Sequence, residues 1–451
     1  MPGCRTHEAI ASDIAAAKPP LTPAQALVQA ERCHYCHDAP CVTACPTGID
    51  IPSFIARIAQ GNLRGAASAI LEANPLGGMC ARVCPTEVLC EDACVRHTLE
   101  DKPVEIGLLQ RHATDALFAK PGAPLFTRAE PTGRRVAVVG AGPAGLACAH
   151  GLARAGHDVV VFEARAKGGG LNEYGIASYK ATGDFAQAEL DWLLSIGGIE
   201  LRTGVALGDA ITLESLRADY DAVFLGLGLA GVNTLGIPEP GADAAAGLAD
   251  AVDFIAELRQ ASDLSAVPVG RHVLVIGGGM TAVDAAVQSK LLGAETVTIA
   301  YRRGAEAMPA SAHEQAWAQT HGVSVRHWAA PEAVLAEGGQ VTGVRFAATR
   351  LDGGKLVHTG ETFVLHADRV LRAIGQTFVA APVGSAVRLE QGRIATDGEG
   401  RTSLPGVWAG GDCRAGGRDL TVEAVEHGKV AARSIDAALR QPVPAPEPRH
   451  G

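Results

Sequence analysis

The sequence predicts an α/β protein: a cysteine-rich helical domain, then two Rossmann-like (βαβ) nucleotide-binding domains, the first interrupted by the second. Two glycine motifs predict the nucleotide-binding pair. VAVVGAGPAG and VLVIGGGMTA each carry an apolar strand into a glycine turn, and their first glycines, Gly140 and Gly277, are 137 residues apart. The cysteines predict that the N-terminal part is a separate domain, because nine of the eleven lie before residue 95.

Length, charge and hydropathy indicate a multidomain protein that neither binds nucleic acid nor spans a membrane. The chain has 451 residues, enough for two or three domains, and its net charge of −10 argues against nucleic acid as a partner. No apolar run is long enough to predict a membrane span. The N-terminus lacks the basic and apolar regions of a secretion signal. We therefore expect a cytoplasmic protein.

Residues 1–130 are predicted to form one helical domain. Between its two cysteine groups, apolar residues such as Ile55, Ile58 and Leu63 recur at helical spacing, with a break near Gly61. This pattern indicates short helices around cysteine loops.

Eight cysteines of this domain form two groups with defined spacing. The first group is C-x2-C-x4-C-x3-C-P, and the second is C-x3-C-P followed by x5-C-x3-C. The members are Cys33, Cys36, Cys41 and Cys45, and Cys80, Cys84, Cys90 and Cys94. Bacterial ferredoxins show the same Cys-Pro ending, and the fourth cysteine of such a run commonly binds the other cluster. The spacing therefore predicts two [4Fe–4S] clusters, close enough to exchange electrons.

Two other interpretations of these cysteines stay open. Zinc would use the same thiols, with His34 and His37 as possible further ligands. Zinc sites favour paired C-x2-C knuckles, however, and only one C-x2-C pair occurs here. Ordinary core cysteines are the third interpretation.

Residues 131–267 are predicted to be the first part of an FAD-binding domain. Gly140 makes the tight turn, Gly142 lets the backbone approach a pyrophosphate, and Gly145 permits close packing of helix on strand. The helix N-terminus offers amide donors to the phosphates. Glu163 ends the second strand, where an acid accepts the ribose hydroxyls. The motif with its flanking strands and acid indicates a dinucleotide site rather than an empty glycine turn.

Residues 268–375 are predicted to be an NAD(P)-binding domain. Ala282 stands in the place of the third glycine, a tolerated variant, and no acid ends the second strand. Arg302 and Arg303 stand there instead, and arginine suits a ribose 2′-phosphate by charge and bidentate geometry. This chemistry favours NADP over NAD, unless the two arginines are only an exposed charged turn.

The FAD-binding domain is predicted to resume over residues 376–440. There GVWAGGDCRAGG places Asp412 after a buried strand and two glycines, where an aspartate can bind the ribityl chain of a flavin. The proline-rich residues 441–451 are predicted to be a disordered tail. No cysteine lies between Cys148 and Cys413, so the redox-active pair of flavin disulfide reductases is absent from the sequence. The N-terminal clusters are then the expected exit for electrons.

Along nearly its whole length the chain resembles the iron–sulfur flavoprotein part shared by dihydropyrimidine dehydrogenases and the small subunit of bacterial glutamate synthase. The motifs that carry the resemblance are CHYCHDAPCVTAC, ARVCPTEVLC, VVGAGPAGL, GGGMTAVD, RAIGQ and AGGD. Two further stretches favour the dihydropyrimidine dehydrogenase branch. GGGLNEYGIASYK is similar to its flavin loop, and VEIGLLQRHATD carries a glutamine sixteen residues after Cys94.

The resemblance implies specific binding residues. One cluster takes Cys33, Cys36, Cys41 and Cys94. The other takes Cys45, Cys84, Cys90 and Gln110, which leaves Cys80 without iron. The implied FAD contacts are Gly140, Ala141, Gly142, Pro143, Ala144, Gly145, Glu163, Gly170, Leu171, Lys180, Gly411, Asp412 and Thr421. The implied nicotinamide contacts are Gly277, Gly279, Thr281, Ala282, Arg302 and Arg303. Lys180 has a second interpretation, as a surface lysine.

The resemblance also implies an activity. NAD(P)H would reduce FAD, and electrons would leave through the two clusters to a partner subunit with FMN and iron–sulfur clusters that reduces uracil or thymine. No catalytic side chain is implied, because the flavin itself accepts the hydride. Bacterial members of this branch resemble NAD-dependent systems, whereas Arg302 and Arg303 favour NADP, so the preference stays open. The alternatives are a glutamate synthase small subunit and an electron relay that binds FAD without nicotinamide.

Overall fold

The computed structural model describes residues 5–120, 122–239 and 246–440. The predicted tail at 441–451 and Cys4 lie outside the described residues.

The first part of the chain is helical. Its helices begin at residues suited to that place: the Thr22 side chain accepts a hydrogen bond from the Gln25 amide in a capping box, and Pro40 and Pro52 occupy first-turn positions. The helices are α1 His7–Ala17, α2 Pro23–Glu31, α3 Pro40–Ala44, α4 Ile51–Ala59, α5 Leu63–Ala73, α6 Gly77–Val83, α7 Val95–Glu100 and α8 Ile106–Ala119. The apolar faces of α2, α4, α5 and α8 form one core that includes Phe54, Ile70 and Leu109. Ile10 and Ile14 of α1 instead pack into the core around the second parallel sheet.

The first βαβ domain is built on a five-stranded parallel sheet. Its elements are β1 Arg135–Val139, α9 Pro143–Arg154, β2 Asp158–Glu163, α10 Leu171–Tyr174, α11 Phe185–Leu194, β3 Ile199–Thr203, α12 Leu213–Asp219, β4 Ala222–Leu225 and β5 Gly231–Val232. The strands are almost wholly apolar at the centre, as expected for a sheet covered on both faces.

The second βαβ domain has its own five-stranded parallel sheet and an added antiparallel sheet. Its elements are β6 Leu248–Asp250, α13 Ala251–Gln260, β7 His272–Ile276, α14 Met280–Leu291, β8 Thr296–Ala300, α15 Ala312–Thr320, β9 Val323–Arg326, β10 Ala329–Glu337, β11 Gln340–Asp352, β12 Lys355–His366 and β13 Arg369–Arg372. The parallel order is β6-β13-β7-β8-β9, and β10, β11 and β12 form the antiparallel sheet.

The chain then returns to the first sheet. The remaining elements are β14 Gln376–Thr377, β15 Leu389–Glu390, β16 Arg393–Ile394, β17 Val407–Ala409 and α16 Thr421–Arg440. β17 pairs in parallel with β4, which gives the first sheet the order β17-β4-β1-β2-β3. The predicted fold class, with the first nucleotide-binding domain interrupted by the second, is confirmed.

One segment packs with a different sheet from the one that the predicted domain boundary implies. Residues 248–260 lie within the predicted first part of the FAD-binding domain. There β6 pairs with β13, and α13 packs Phe254 and Ile255 into the core of the second sheet. Among the described residues, no helix is long and apolar enough to cross a membrane.

Candidate functional site

The first glycine motif forms a turn into which side chains do not fit. Gly140 has φ +101°, and a Cβ added there would lie 2.3 Å from the carbonyl oxygen of Gly226. A Cβ at Gly145 would lie 1.9 Å from the carbonyl oxygen of Gly140. At Gly142, by contrast, an added Cβ has only the Gly170 Cα, at 3.8 Å, within contact distance. The N-terminus of α9 is therefore open where a pyrophosphate would approach.

Glu163 is fixed beside this turn at the end of β2. Its Oε2 accepts a hydrogen bond from the Ala141 amide at 2.8 Å, and its Oε1 accepts one from the Arg165 amide at 2.8 Å. The side chain lines a cleft that begins at the glycine turn. Each carboxylate oxygen retains acceptor capacity toward hydroxyl groups in that cleft.

This cleft, the flavin cleft, has a volume of about 350 Å³. Most of the residues implied as FAD contacts line it: Gly140, Gly142, Pro143, Ala144, Glu163, Gly170, Leu171, Lys180, Gly411, Asp412 and Thr421. Ala141 and Gly145 do not line the cleft; both are buried behind the turn. Their role as FAD contacts stays a prediction.

Asp412 and Thr421 reach the cleft from the returning part of the domain. Burial and, to a lesser extent, the nearby Asp419 together raise the pKa of Asp412 to about 6, against the opposing effect of Arg393. Helix α16 comes very close to α9, since a Cβ at Gly428 would lie 2.1 Å from the carbonyl oxygen of Ala144. This contact places the start of α16 over the glycine turn.

Lys180 is buried in the cleft wall rather than exposed. Its Nζ lies 2.8 Å from Asp284 Oδ1 and 3.2 Å from Glu314 Oε1, two carboxylates of the second nucleotide-binding domain. Burial lowers the pKa of Lys180, but the two carboxylates outweigh burial and raise that pKa above its usual range. The interpretation as a surface lysine is therefore wrong.

The second glycine motif repeats the geometry of the first. Gly277 has φ +145°, and a Cβ there would lie 2.1 Å from the carbonyl oxygen of Ala373, whereas nothing lies within 4 Å of a Cβ at Gly279. Ala282, in the first turn of α14, is fully buried, and Thr281 faces the flavin cleft. The start of α14 therefore offers an open place for a second pyrophosphate beside the first.

Arg302 and Arg303 follow β8, the second strand of this motif. Arg302 is exposed and Arg303 is half-buried. Their carbonyl oxygens accept hydrogen bonds from Thr349 Oγ1 and the Trp328 amide, which anchors the turn. Both side chains stand at the strand end where a ribose 2′-phosphate would be expected.

The cysteines of the helical domain line two separate cavities. Cys33, Cys36, Cys41 and Cys94 line the first, together with His34. Burial, followed by the nearby Cys94 and Cys33, raises the pKa of Cys41 to about 12. The four thiols that the resemblance assigns to one cluster thus face one space. His37 points away, with its side chain 98% exposed.

The second cavity contains the other implied ligand set and one more thiol. Cys45, Cys84, Cys90 and Gln110 line it, and so does Cys80. Gln110 donates from Nε2 to the Gly77 carbonyl oxygen at 2.6 Å, which leaves its amide oxygen for the cavity. The donor sets of both cavities fit [4Fe–4S] clusters, because thiolates are the ligands that such clusters take. No three His, Cys, Asp or Glu side chains of the described chain are arranged to hold a single metal ion.

The three spaces adjoin one another. Val422 of α16 lines the second cavity, while its neighbour Thr421 lines the flavin cleft. Likewise Cys84 lines the second cavity, and the preceding Val83 lines the cleft. Ile51 lines both cysteine cavities. The order is therefore flavin cleft, second cavity, first cavity.

The sequence does not predict the place of several of these residues. Val83 and Val422 are ordinary core residues by pattern, and only the packing of α6 and α16 places them between cavities. Asp284 follows Gly279 by five residues on α14, but its partner Lys180 is distant in sequence. Cys80 belongs to the second cysteine group, but the ligand set that the resemblance implies does not include it.

Two families match the chain. The family described as "Dihydroprymidine dehydrogenase domain II, 4Fe-4S cluster" matches residues 11–121. The pyridine nucleotide-disulphide oxidoreductase family matches residues 134–428. The boundary between the two matches falls between α8 and β1.

Individual relatives cover most of the chain. The NAD-dependent dihydropyrimidine dehydrogenase subunit PreT of Escherichia coli O157:H7 is 36% identical over 418 residues, 92% of this chain and 95% of that protein. The glutamate synthase [NADPH] small chain of Escherichia coli (strain K12) is 34% identical over 444 residues, 92% of each chain. The crystal structure of T. acidophilum thioredoxin reductase has a TM-score of 0.55 and 22% identity, and covers 68% of this chain and 99% of its own. That last likeness concerns the fold alone.

Proposed function

We propose that this chain, which belongs to the iron–sulfur flavoprotein family of the dihydropyrimidine dehydrogenase subunits, is the electron-input subunit of such an enzyme. It takes electrons from NAD(P)H at FAD and passes them through two [4Fe–4S] clusters. The recipient is a partner subunit that reduces uracil or thymine to the 5,6-dihydropyrimidine.

The observation that carries this proposal is the order of the three spaces. A dinucleotide cleft adjoins a cavity of cysteines and one glutamine, and that cavity adjoins a second cavity of four cysteines. Val422 in the second cavity is next to Thr421 in the cleft, and Ile51 lines both cysteine cavities. Such an arrangement suits electron transfer away from the flavin.

The chain's own residues bind and orient the cofactors. The turn at Gly140 and the carboxylate of Glu163 would hold the adenosine and pyrophosphate end of FAD, and Asp412 its ribityl chain. Thr281 faces the same cleft from the second domain, and the backbone at the nearby Gly279 is open, so NAD(P)H would enter there. A bound flavin accepts a hydride and releases electrons one at a time, so no side chain has to act as an acid or a base.

The partner belongs to the same proposal. A catalytic subunit with FMN and further iron–sulfur clusters would receive the electrons, and the pyrimidine site would lie there. The electrons would leave the chain near the first cavity, because Tyr35 and His37 beside it are exposed. A cytoplasmic location is also proposed; its support is that every cysteine in the described residues is a free thiol.

Reconstitution tests the proposal. The purified chain is mixed with a bacterial dihydropyrimidine dehydrogenase catalytic subunit, and NAD(P)H-dependent loss of uracil is followed. We expect uracil reduction only when both subunits are present. The same chain is also mixed with a glutamate synthase large subunit, glutamine and 2-oxoglutarate.

The outcomes separate the alternatives. Glutamate formation without support of uracil reduction would contradict the proposal in favour of a glutamate synthase small subunit. Uracil reduction by the isolated chain would contradict the placement of the pyrimidine site on the partner. Failure of both NADH and NADPH to reduce the flavin would instead favour a relay that binds FAD without nicotinamide.

A further inference from the structure

The second cavity contains one donor more than a [4Fe–4S] cluster takes. The first cavity has four cysteines, but the second has Cys45, Cys84, Cys90 and Gln110 together with Cys80. A cubane cluster is held by four protein ligands, usually thiolates. One of the five side chains is therefore in excess.

Cys80 is placed as a ligand would be. It is only 2% exposed, and it lines the second cavity together with Cys84. Cys80 and Cys84 are four residues apart at the end of α6, so they project from the same side of the helix. The Cys80 sulfur thus stands beside an implied ligand without any movement of the helix.

Gln110 reaches the cavity next to the same helical turn. Its Nε2 donates to the carbonyl oxygen of Gly77, which is three residues before Cys80 on α6. The amide oxygen and the Cys80 sulfur therefore approach the cavity from neighbouring positions. The two donors differ in chemistry, because iron–sulfur clusters prefer a soft, charged thiolate to a neutral amide oxygen.

We propose that Cys80 is a standby ligand that takes the place of Gln110 when the glutamine is lost; this inference rests on the proposed second cluster. The Cys80 thiol gives its proton to solvent, and its sulfur forms a bond to the iron that the amide oxygen has left. No electron moves in this exchange. The cluster keeps four ligands but gains one negative charge from the protein.

Iron content and electron paramagnetic resonance test the inference on the full chain, purified without oxygen. The variants are Gln110→Ala, Cys80→Ala and the double variant Gln110→Ala/Cys80→Ala. Gln110→Ala/Cys148→Ala is the matched control, because Cys148 is also a buried helical thiol but lies in α9, outside both cysteine cavities. The FAD content of each variant serves as the check on folding.

We expect about eight irons per chain in the wild type, in both single variants and in the control, and about four in Gln110→Ala/Cys80→Ala. Reduced Gln110→Ala should also give a resonance spectrum distinct from that of the wild type, because the ligand set has changed. About four irons in Gln110→Ala, or about eight in Gln110→Ala/Cys80→Ala, would overturn the inference. Only four irons in the wild type would instead contradict the proposed second cluster itself.

Discussion

Lys180 Nζ lies 2.8 Å from Asp284 Oδ1, and this buried ion pair joins the wall of the flavin cleft to helix α14 of the second nucleotide-binding domain. Glu314 Oε1 lies 3.2 Å from the same nitrogen. Tyr179, next to the lysine, donates to Asp284 Oδ1 at 2.7 Å. One lysine therefore holds two carboxylates of the second domain against the first.

Replacing Lys180 by Ala should destabilise the protein by about 3–5 kcal/mol, because it leaves two carboxylates buried without their cation. Thermal unfolding measures the loss. Lys167→Ala is the matched control: its ion pair with Glu173 is half exposed on the lysine side and should contribute less than about 1 kcal/mol. Equal stability of the two variants would contradict the structural role of Lys180. If the two variants were equally stable and only Lys180→Ala bound FAD more weakly, Lys180 would act on the flavin alone.

Glu189 should make the stability depend on pH. This buried carboxyl of α11 accepts the Gly78 amide at 2.7 Å and the Met79 amide at 3.2 Å. Burial raises its pKa from 4.5 to about 8, against the opposing effect of these amides and of Arg82. Between about pH 4.5 and 8, the folded state therefore holds a proton that the unfolded state has lost. The stabilisation from this proton is complete below about pH 4.5 and is lost as the pH rises through 8.

The Glu189→Gln variant tests that dependence, because glutamine keeps the acceptor oxygen but does not titrate. The unfolding temperature of the wild type should fall relative to that of Glu189→Gln between pH 5.5 and 9. Glu200→Gln, at an exposed position of the same domain, should follow the wild type. A constant difference between wild type and Glu189→Gln over this range would show that Glu189 does not titrate there.

Gly279→Ala should leave the fold intact and weaken the binding of NAD(P)H. An added Cβ meets nothing within 4 Å, and the backbone φ of −90° suits alanine. The methyl group would instead occupy the approach of a pyrophosphate, so we expect the KM for the nicotinamide to rise about 10-fold or more. Gly398→Ala, also open but away from the cleft, should change neither stability nor KM. An unchanged KM in Gly279→Ala would place the pyrophosphate elsewhere.

Arg302→Ala/Arg303→Ala should reduce the use of NADPH more than the use of NADH. Each charge-assisted hydrogen bond to a 2′-phosphate contributes about 1.5–3 kcal/mol, so the KM for NADPH should rise by roughly 10-fold or more. Flavin reduction without oxygen, with each nucleotide in turn, measures the change. Arg350→Ala, whose side chain is 66% exposed in the same domain, is the control. Equal effects on both nucleotides would show that the pair is only a charged turn.

Local features of the fold and the site could be predicted from the sequence, whereas long-range pairings could not. Gly140 and Gly277 were identified because a tight turn constrains the residues within it. Residues 248–260 were assigned to the first domain, but β6 pairs with β13, more than 100 residues later, and no local pattern encodes that choice. The contacts of Lys180 with Asp284 and of Val422 with the second cavity likewise depend on packing between domains.

The most direct test of the central claim is a titration of the purified chain with NADH or NADPH in the absence of oxygen, followed by absorbance and electron paramagnetic resonance. We predict loss of the flavin absorbance with at least one nucleotide, reduction of iron–sulfur signals by the same electrons, and no consumption of added uracil until a catalytic subunit is supplied. A flavin that either nucleotide reduces while no uracil is consumed, even with the catalytic subunit present, would contradict the account.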